Sequence, residues 1–325
     1  MSEDSLRFDE LEGSWVGLVP SRRTMQRSTH RQELPKIRIR CPFCPGHEAD
    51  TEATVAQWPS EGVWQARVVQ NKYPLVRSTA TTVPPHAIAA AMPNVGRHEV
   101  IIEAREHDID LWELGIDHLA GVLRLYRDRA KALGAAPDAE HVVLFRNRGT
   151  RAGSSQPHPH AQVASVPVVG PRVALREARA EAHYRAGKGN LLKTLVDREL
   201  EEEVRVVETT ERFVVFCPYA PHQPNEVWIV ARDPVGSFTD RNDATVDALA
   251  PVFQRTIERL IRVLRRPAYN ISFVLPPRRA SRPGSYWLIM LLPRGKGGAG
   301  FELTSGIDLV TVTPEEAAAA LRGEP

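Results

Sequence analysis

SSQPHPHAQV, residues 154–163, places two histidines and a glutamine at alternate positions of a segment whose continuation is apolar. If the segment runs as a strand after Pro157, then His158, His160 and Gln162 project from one side of it. Three polar side chains on one face of an apolar strand cost free energy unless something bonds to them. The segment alone fits two interpretations: a histidine nucleophile or metal site, or two incidental histidines on an edge strand.

The residues before this segment, 147–155, form a loop with glycines at Gly149 and Gly153 and a hydroxyl at Ser155. Backbone N–H groups in such a loop can point together at an anion, and the serine hydroxyl adds another donor. We therefore expect a phosphate-binding loop at the entrance to the histidine strand.

Composition bounds the classes of protein to consider. A chain of 325 residues can hold one large domain or two medium ones, and a net charge of +2 argues against bulk nucleic-acid binding. No apolar run is long enough to cross a bilayer, and the start of the chain lacks the hydrophobic region of a signal peptide. We expect a cytoplasmic protein with neither a membrane nor a nucleic acid as partner.

The cysteines indicate a metal site. Cys41 and Cys44 are spaced C-x-x-C, and the third, Cys217, is far away, which argues for a reducing compartment rather than disulfides. Two thiols at this spacing can reach one tetrahedral ion if two more ligands arrive. The alternative, a thioredoxin-like redox pair, requires a helix that begins at the motif. Pro45-Gly46 instead predicts the end of a secondary-structure element. Zinc is the favoured interpretation.

The second half of the chain repeats the first. Strand, strand, helix, strand, strand appears twice, and Asn225–Asp233 matches His98–Glu106 nearly position for position. We therefore predict an α+β fold built from a duplicated unit, with mainly antiparallel sheets and helices packed on them. The predicted halves are residues 1–170 and 171–325, and only the first carries the paired histidines.

The repeat helps to select the remaining metal ligands. His107 and His158 are the histidines of the first half that we expect to join the cysteines, and His47 competes with His107 because it is close to them in sequence. The position of His107 is Pro234 in the second half, which has no cysteine pair, and this favours His107. Two thiolates and two imidazoles form a closed shell suited to a structural Zn²⁺.

With His158 on the metal, His160 is left free. An unprotonated imidazole can attack a phosphorus centre and form a covalent phosphoramidate. Gln162 offers amide hydrogen bonds to a phosphate oxygen but cannot move a proton near neutral pH, which favours transfer over acid-assisted hydrolysis. A zinc-stabilised nucleotide-binding protein without turnover is the alternative from another class.

Taken together, these motifs resemble those of the galactose-1-phosphate uridylyltransferases, the transferase branch of the histidine-triad superfamily. The ADP-glucose:phosphate adenylyltransferases share the same features. The motifs that carry the resemblance span nearly the whole chain: Cys41-x-x-Cys44, Asn71-Lys72-Tyr73-Pro74, residues 103–107, 147–155, His158-Pro159-His160-Ala161-Gln162, 206–209, 225–228, 300–302 and 314–316.

The resemblance implies a duplicated histidine-triad-like fold, with one continuous half-barrel as one arrangement of its sheets, in a homodimer that binds nucleotide sugars and sugar phosphates. It implies a ping-pong reaction in which His160 takes a nucleotidyl group from a nucleoside-diphosphate sugar and passes it to a sugar 1-phosphate. The most specific expectation is a UDP-glucose:hexose-1-phosphate uridylyltransferase; the alternative is a phosphorylase or hydrolase of ADP-glucose or another such sugar, using phosphate or water.

The resemblance also implies roles for individual residues. His160, Gln162 and Ser155 would serve catalysis. Substrate would be bound by Arg23, Asn71, Lys72, Asn147, Gly153 and Glu302. Glu302 would contact the hexose, and Asn71 and Lys72 would lie near the nucleoside.

Overall fold

The computed structural model describes residues 4–22, 40–79, 83, 90–265, 267–280, 283–295 and 298–324. Its strands are β1 Ser5–Asp9, β2 Ser14–Leu18, β3 Thr54–Trp58, β4 Ala66–Gln70, β5 His98–Ile102, β6 His141–Arg148, β7 His160–Val166, β8 Val206–Thr209, β9 Phe213–Phe216, β10 Val227–Ala231, β11 Tyr269–Val274, β12 Leu288–Pro293 and β13 Asp308–Val310. Its α-helices are α1 Ile116–Gly134, α2 Pro171–Arg185, α3 Leu191–Glu202, α4 Asp243–Leu264, α5 Gly300–Ser305 and α6 Pro314–Arg322.

One antiparallel sheet of ten strands dominates the fold. Its order is β3-β4-β5-β7-β6-β11-β12-β10-β9-β8, and the two central strands β6 and β11 pair with each other. Outward from that pair, the strands follow the same order on both sides: β6-β7-β5-β4-β3 on one and β11-β12-β10-β9-β8 on the other. A small second sheet, β1-β2-β13, joins the two ends of the chain. The predicted α+β class with mostly antiparallel sheets is confirmed, and the division at residue 170 stays a prediction.

The two faces of the large sheet are covered differently. The main core lies on one face, where α1, α4 and α6 pack against strands from both halves of the sheet. A second core lies on the other face of the β12-β10-β9 region, under α2 and α3. No helix among the described residues is long and apolar enough to span a membrane.

Apolar residues recur at helical spacing from Ile109 to Leu133, which predicts a helix over this range, but the helix begins later than that pattern does. Asp110 caps a single 3-10 turn, accepting a hydrogen bond from the Leu111 backbone N–H at 2.8 Å. The backbone is then extended at Leu114 and Gly115, and α1 starts at Ile116. Leu111 and Leu114 are nevertheless buried in the main core, so burial alone produced the helical spacing.

The residue-by-residue match of Asn225–Asp233 with His98–Glu106 is out of register by one residue. Matched side chains of β5 and β10 therefore point to opposite faces of the sheet. Ile101 of β5 faces the main core, whereas Trp228, its partner in that match, faces the second core. A shift of one residue turns every side chain of a strand to the opposite face of the sheet. When Pro167, just after β7, is aligned with Pro293 at the end of β12, His160 matches Tyr286. Both side chains lie off the main core, because Ala161 belongs to that core and Tyr286 to the second one.

Candidate active site and metal centre

The four predicted metal ligands converge on one point. Cys41, Cys44, His107 and His158 each offer one ligand atom, and these atoms all lie within 4.8 Å of one another. His107 follows β5, His158 precedes β7, and the cysteines come from the turn of residues 41–46, so three separate segments meet here. His47 is not a ligand of this cluster, because its Nδ1 donates to the Cys41 carbonyl oxygen at 2.7 Å.

The distances fit a tetrahedral ion. The Cys44 Sγ lies 3.3 Å from His107 Nδ1 and 3.6 Å from His158 Nδ1, and the Cys41 Sγ lies 3.7 Å from His158 Nδ1. Ideal zinc bonds to sulfur and nitrogen place the two ligand atoms about 3.6 Å apart. His158 Nε2 donates to the Ala104 carbonyl oxygen at 2.9 Å, which leaves Nδ1 unprotonated for the ion.

Burial affects the ionisation of His158 and Cys44. It lowers the pKa of His158 to about 4, so its imidazole is neutral, as a metal ligand must be. Burial also raises the pKa of the Cys44 thiol to about 11, with further contributions from Cys41 and Asp108. Two adjacent, poorly solvated thiols gain from a cation that accepts their thiolates, so this donor set can hold a metal such as zinc.

A buried ion cluster holds the segment that carries His107. Arg146 of β6 donates to the carboxylates of Glu103 at 2.8 Å and of Asp110 at 2.9 Å, one on each side of His107 in sequence. The Glu103 backbone N–H also donates to the Pro159 carbonyl oxygen at 3.1 Å. Because both ends of residues 103–110 are fixed to the neighbouring strands, His107 is held in position beside the cysteines.

His160 is oriented as a nucleophile. Its side chain is buried, and Nδ1 donates to the His158 carbonyl oxygen at 2.9 Å. The proton is therefore on Nδ1, and the lone pair is on Nε2. Burial lowers the pKa of His160, although the carbonyl hydrogen bond opposes the shift. The free base is the form that attacks phosphorus.

Phe43 links the metal turn to this histidine and was not singled out from the sequence. Its ring centroid lies 5.4 Å from that of His160 and 6.0 Å from that of His158. The rings of Phe43 and His158 pack edge to face. The turn between the two cysteines therefore packs against the nucleophile. The metal centre and the candidate active site form one structural unit.

Gln162 lies on the same sheet face as His160 and has a partner that sequence reasoning missed. His98 of β5 contacts the Gln162 Oε1 atom through Nε2 at 2.9 Å, and it is buried. Asn71 Nδ2 also approaches Gln162 Oε1, at 3.5 Å. Burial lowers the pKa of His98, and its hydrogen bond to Gln162 opposes that shift. Asn71, which was predicted to contact substrate, is thus brought to the catalytic strand.

Asn147 lies beside His160 on the neighbouring strand, since the residue before it, Arg146, pairs with Ala161. Its Oδ1 accepts a hydrogen bond of 2.7 Å from Asn270 Nδ2 of β11, another residue that the sequence did not reveal. A Cβ at Gly153 would lie 3.6 Å from Asn147 Nδ2, and Gly153 has φ +85°, a conformation that favours glycine. The predicted loop therefore closes against Asn147.

The other predicted residues make no hydrogen bond to His160, Gln162 or Asn147 within the described part of the chain, or lie outside it. Ser155 is exposed in the loop, and Lys72 is exposed after β4. Glu302 accepts a hydrogen bond from the Ala299 backbone N–H at 3.0 Å and so caps its own short helix. Arg23 lies outside the described residues. Hydrogen bonds among the described residues do not join Lys72 or Glu302 to the His160 strand, and their predicted roles stay predictions.

Comparison with known proteins places this geometry in a family. The family model described as galactose-1-phosphate uridyl transferase, N-terminal domain, matches residues 2–169, more than half of the chain. The chain belongs to the galactose-1-phosphate uridyl transferase family. It is therefore an enzyme of the type that moves nucleotidyl groups, and the resemblance read from the motifs is confirmed.

Two curated relatives differ in how completely they align. ADP-glucose phosphorylase of Arabidopsis thaliana is 26% identical, and the alignment covers 98% of this chain and 92% of that protein. Galactose-1-phosphate uridylyltransferase of Streptomyces lividans is 27% identical, and the alignment covers 81% of this chain and 66% of that protein.

Solved structures share the fold over its full length. The crystal structure of an ADP-glucose phosphorylase from Arabidopsis thaliana with bound ADP-glucose matches with a TM-score of 0.84 at 24% identity, covering 99% of this chain and 100% of that one. A structure of uridylyltransferase matches with a TM-score of 0.77 at 24% identity, covering 99% and 98%. At this level of identity, the likeness establishes the fold.

Proposed function

We propose that this enzyme transfers the nucleoside monophosphate of a nucleoside-diphosphate sugar to inorganic phosphate, through a covalent intermediate on His160. The observation that carries the proposal is the hydrogen bond from His160 Nδ1 to the His158 carbonyl oxygen, which leaves Nε2 with a lone pair beside the Gln162 amide. A buried, neutral imidazole aimed in this way is suited to attack on phosphorus.

The first step forms a bond between His160 Nε2 and the α-phosphorus and breaks the bond from that phosphorus to the bridging oxygen. The sugar 1-phosphate leaves with the electron pair, and the Nδ1 proton stays on the imidazole, held by the His158 carbonyl oxygen. A phosphate anion is a good leaving group without protonation, so an amide at Gln162 is sufficient and a general acid is not required.

In the second step, an oxygen of inorganic phosphate attacks the same phosphorus and the nitrogen–phosphorus bond breaks. The products are a nucleoside diphosphate and the free imidazole, so atoms and charges balance over the two steps. The NH₂ groups of Gln162 and Asn147 and the N–H and hydroxyl of Ser155 are the donors proposed to hold the phosphoryl oxygens, since the N–H groups of Ala152, Gly153 and Ser154 already donate within the loop.

ADP-glucose is the donor that we favour. The ADP-glucose phosphorylase of Arabidopsis thaliana aligns over 98% of this chain and 92% of its own length, whereas the Streptomyces lividans uridylyltransferase aligns over 66% of its own length. This departs from the most specific expectation drawn from the motifs, a uridylyltransferase with a hexose 1-phosphate acceptor. The latter remains the second candidate, because the match of the family model to residues 2–169 supports it equally.

The cluster of Cys41, Cys44, His107 and His158 would hold a zinc ion with a structural role. When bound, the ion supplies a closed tetrahedral anchor, because all four ligands come from the protein. The cysteine turn places Phe43 against His160, so this anchor would keep the nucleophile in a fixed, dry environment. The homodimer and the cytoplasmic location stay predictions.

The test separates the covalent step from the choice of substrates. The protein is mixed with ADP-glucose or UDP-glucose without an acceptor, and its intact mass and a peptide map are recorded. We expect an added adenylyl group on His160 and release of sugar 1-phosphate. Addition of inorganic phosphate or galactose 1-phosphate then identifies the acceptor from the product formed. An unmodified His160 with every donor would refute the covalent mechanism.

A further inference from the structure

We propose that His98 and Asn270 are positioning residues that fix the amide groups of Gln162 and Asn147 so that both present N–H donors to the transferred phosphoryl group. This inference rests on the proposed function. It identifies the residues that make the proposed phosphate site selective for an anion. Neither residue belongs to the set predicted from the sequence.

The four side chains form a staggered row across four adjacent strands of the sheet, β5, β7, β6 and β11. Gln162 pairs with Val100 of β5 and with Phe145 of β6, and Asn147 pairs with Asn270 of β11. Because side chains alternate along each strand, His98, Gln162, Asn147 and Asn270 all project from the face that carries His160. The row therefore flanks the nucleophile from both sides.

The first relay begins at a backbone N–H, which can only donate. The Leu75 N–H donates to His98 Nδ1 at 3.0 Å, so that nitrogen is the unprotonated one. His98 Nε2 then carries the proton and donates to Gln162 Oε1 at 2.9 Å. Asn71 Nδ2 approaches the same oxygen, while its own Oδ1 accepts from the Tyr73 N–H at 2.9 Å. With its oxygen engaged, Gln162 has its NH₂ group left for a ligand.

The second relay begins at a guanidinium group, which also can only donate. Arg294 Nε donates to Asn270 Oδ1, so the Asn270 NH₂ group must point the other way. That NH₂ group donates to the Ala152 carbonyl oxygen at 2.8 Å and to Asn147 Oδ1 at 2.7 Å. With its oxygen engaged, Asn147 turns its NH₂ group toward the loop at Gly153, where Nδ2 lies 3.5 Å from the carbonyl oxygen.

The two relays have the same chemical result. An unconstrained amide can present either its oxygen or its NH₂ group, and the oxygen repels a phosphoryl oxygen. Donors aimed in advance at developing negative charge need no reorganisation during the reaction. Asn270 lies in the second half of the chain, so that half completes a site whose nucleophile belongs to the first.

Asn270→Asp tests the second relay with almost no change of shape. The carboxylate still accepts from Arg294 but has no hydrogen to donate, so the Asn147 amide turns over and presents its oxygen. We expect the single-turnover rate of nucleotidyl-His160 formation from ADP-glucose to fall roughly a hundredfold, the usual effect of losing one aligned donor. Adduct formation at the wild-type rate would overturn the proposal for Asn270.

His98 variants test the first relay and do not depend on the folding of the Asn270 variant. His98→Phe removes the donor and is expected to slow the same step roughly a hundredfold. His98→Gln keeps one acceptor and one donor and should restore most of the rate. The double variant His98→Phe with Gln162→Leu should be no slower than Gln162→Leu alone, because both act through one amide. Effects that multiply, or a His98→Gln variant as slow as His98→Phe, would overturn the proposal for His98.

Glu99→Gln is the matched control. It lies next to His98 but faces the main core, where its carboxylate pairs with Arg129 at 2.7 Å. We expect a lower melting temperature and an unchanged rate of adduct formation. A wild-type protein that forms no adduct with any donor would overturn the proposed function and this inference with it, whereas a wild-type adduct with unaffected variants would overturn the inference alone.

Discussion

The two halves of the large sheet differ in what covers the face that points away from the main core. In the second half, α2 and α3 lie on this face, and Leu192 and Val196 of α3 join a dry cluster with Trp228 and Leu288. In the first half, the described residues on the same face form only a small apolar cluster of Trp64, Val69, Val100 and Ile102, with Phe43 packed on it. His160, Gln162 and Asn147 lie on the same face.

This difference bears on where the proposed chemistry lies in a duplicated fold. The shared strand order supplies two equivalent surfaces, and a helical layer turns one of them into core. Where His160 faces the candidate site, its counterpart Tyr286 is 1% exposed and packed among apolar side chains. The proposed nucleotidyl transfer is assigned to the first half, whose sheet face is not covered by α2 and α3. A shared scaffold alone does not assign function.

Removing the nucleophile should produce the largest effect. His160→Gln keeps a polar side chain of similar size but has no nitrogen that can attack phosphorus, so nucleotidyl transfer should fall by roughly 10⁴-fold or more. Quenched-flow measurement of sugar 1-phosphate release gives the rate, and thermal unfolding checks the fold. A variant with more than a few per cent of wild-type transfer would show that the reaction does not pass through His160.

Loss of a metal ligand in the first half should produce the next largest effect. Cys44→Ser should reduce bound zinc from about one ion per chain to almost none. It should also lower the free energy of unfolding by about 4 kcal/mol, because loss of a metal is among the strongly destabilising changes. Elemental analysis by mass spectrometry and urea titration provide the two measurements.

Cys217→Ala is the control for the metal prediction. Cys217 is a fully buried cysteine of the main core in the second half and does not belong to the four-ligand cluster. This variant should lose stability while it retains its zinc. Equal zinc content in Cys44→Ser and the wild type would contradict the assignment of the site.

Two histidines, one in each half, have pKa values shifted in opposite directions. Burial lowers the pKa of His160, and it also opposes the charged form of the half-buried His222, but the hydrogen bonds that His222 donates to Asp308 and Asp9 raise its pKa to about 10. The raised pKa means that His222 stabilises the fold fully below about pH 6.5 and loses this contribution as the pH rises toward 10.

His222→Gln tests this contribution, because a glutamine cannot carry the charge. Between about pH 6.5 and pH 10, we expect the free energy of unfolding of the wild type to fall by about 2 kcal/mol more than that of the variant. Urea titrations across this range measure the difference. Parallel pH dependence in the two proteins would mean that His222 is not charged between the two aspartates.

The sequence predicted the parts of the site that depend on residue type and spacing. Cys41, Cys44, His107 and His158 were identified because few side chains bind metal, and the structure brings them together in a cluster that could hold a metal ion. Long elements were also predictable: apolar residues recur at helical spacing from Val246 to Leu264, and α4 covers them.

The missed residues act through contacts across strands. His98 and Asn270 reach the site because β5 pairs with β7 and β6 pairs with β11 in one register, which no local pattern reveals. The same limit explains the wrong facing of β10, where a shift of one residue reverses the side chains. Phe43 was missed because only the folded turn brings its ring to His160.

Tyr286 gives the smallest expected effect and the most direct contrast with His160. Its hydroxyl is buried and has no hydrogen-bond partner in the described part of the chain, and burial raises its pKa so that it stays neutral. Tyr286→Phe removes an unsatisfied polar atom and should raise the free energy of unfolding by about 1 kcal/mol, with transfer unchanged. Urea titration and the single-turnover assay measure the two quantities. A loss of stability would show that the hydroxyl bonds to a group in solution, and a loss of transfer would show that the second half retains a role at this position of the strand.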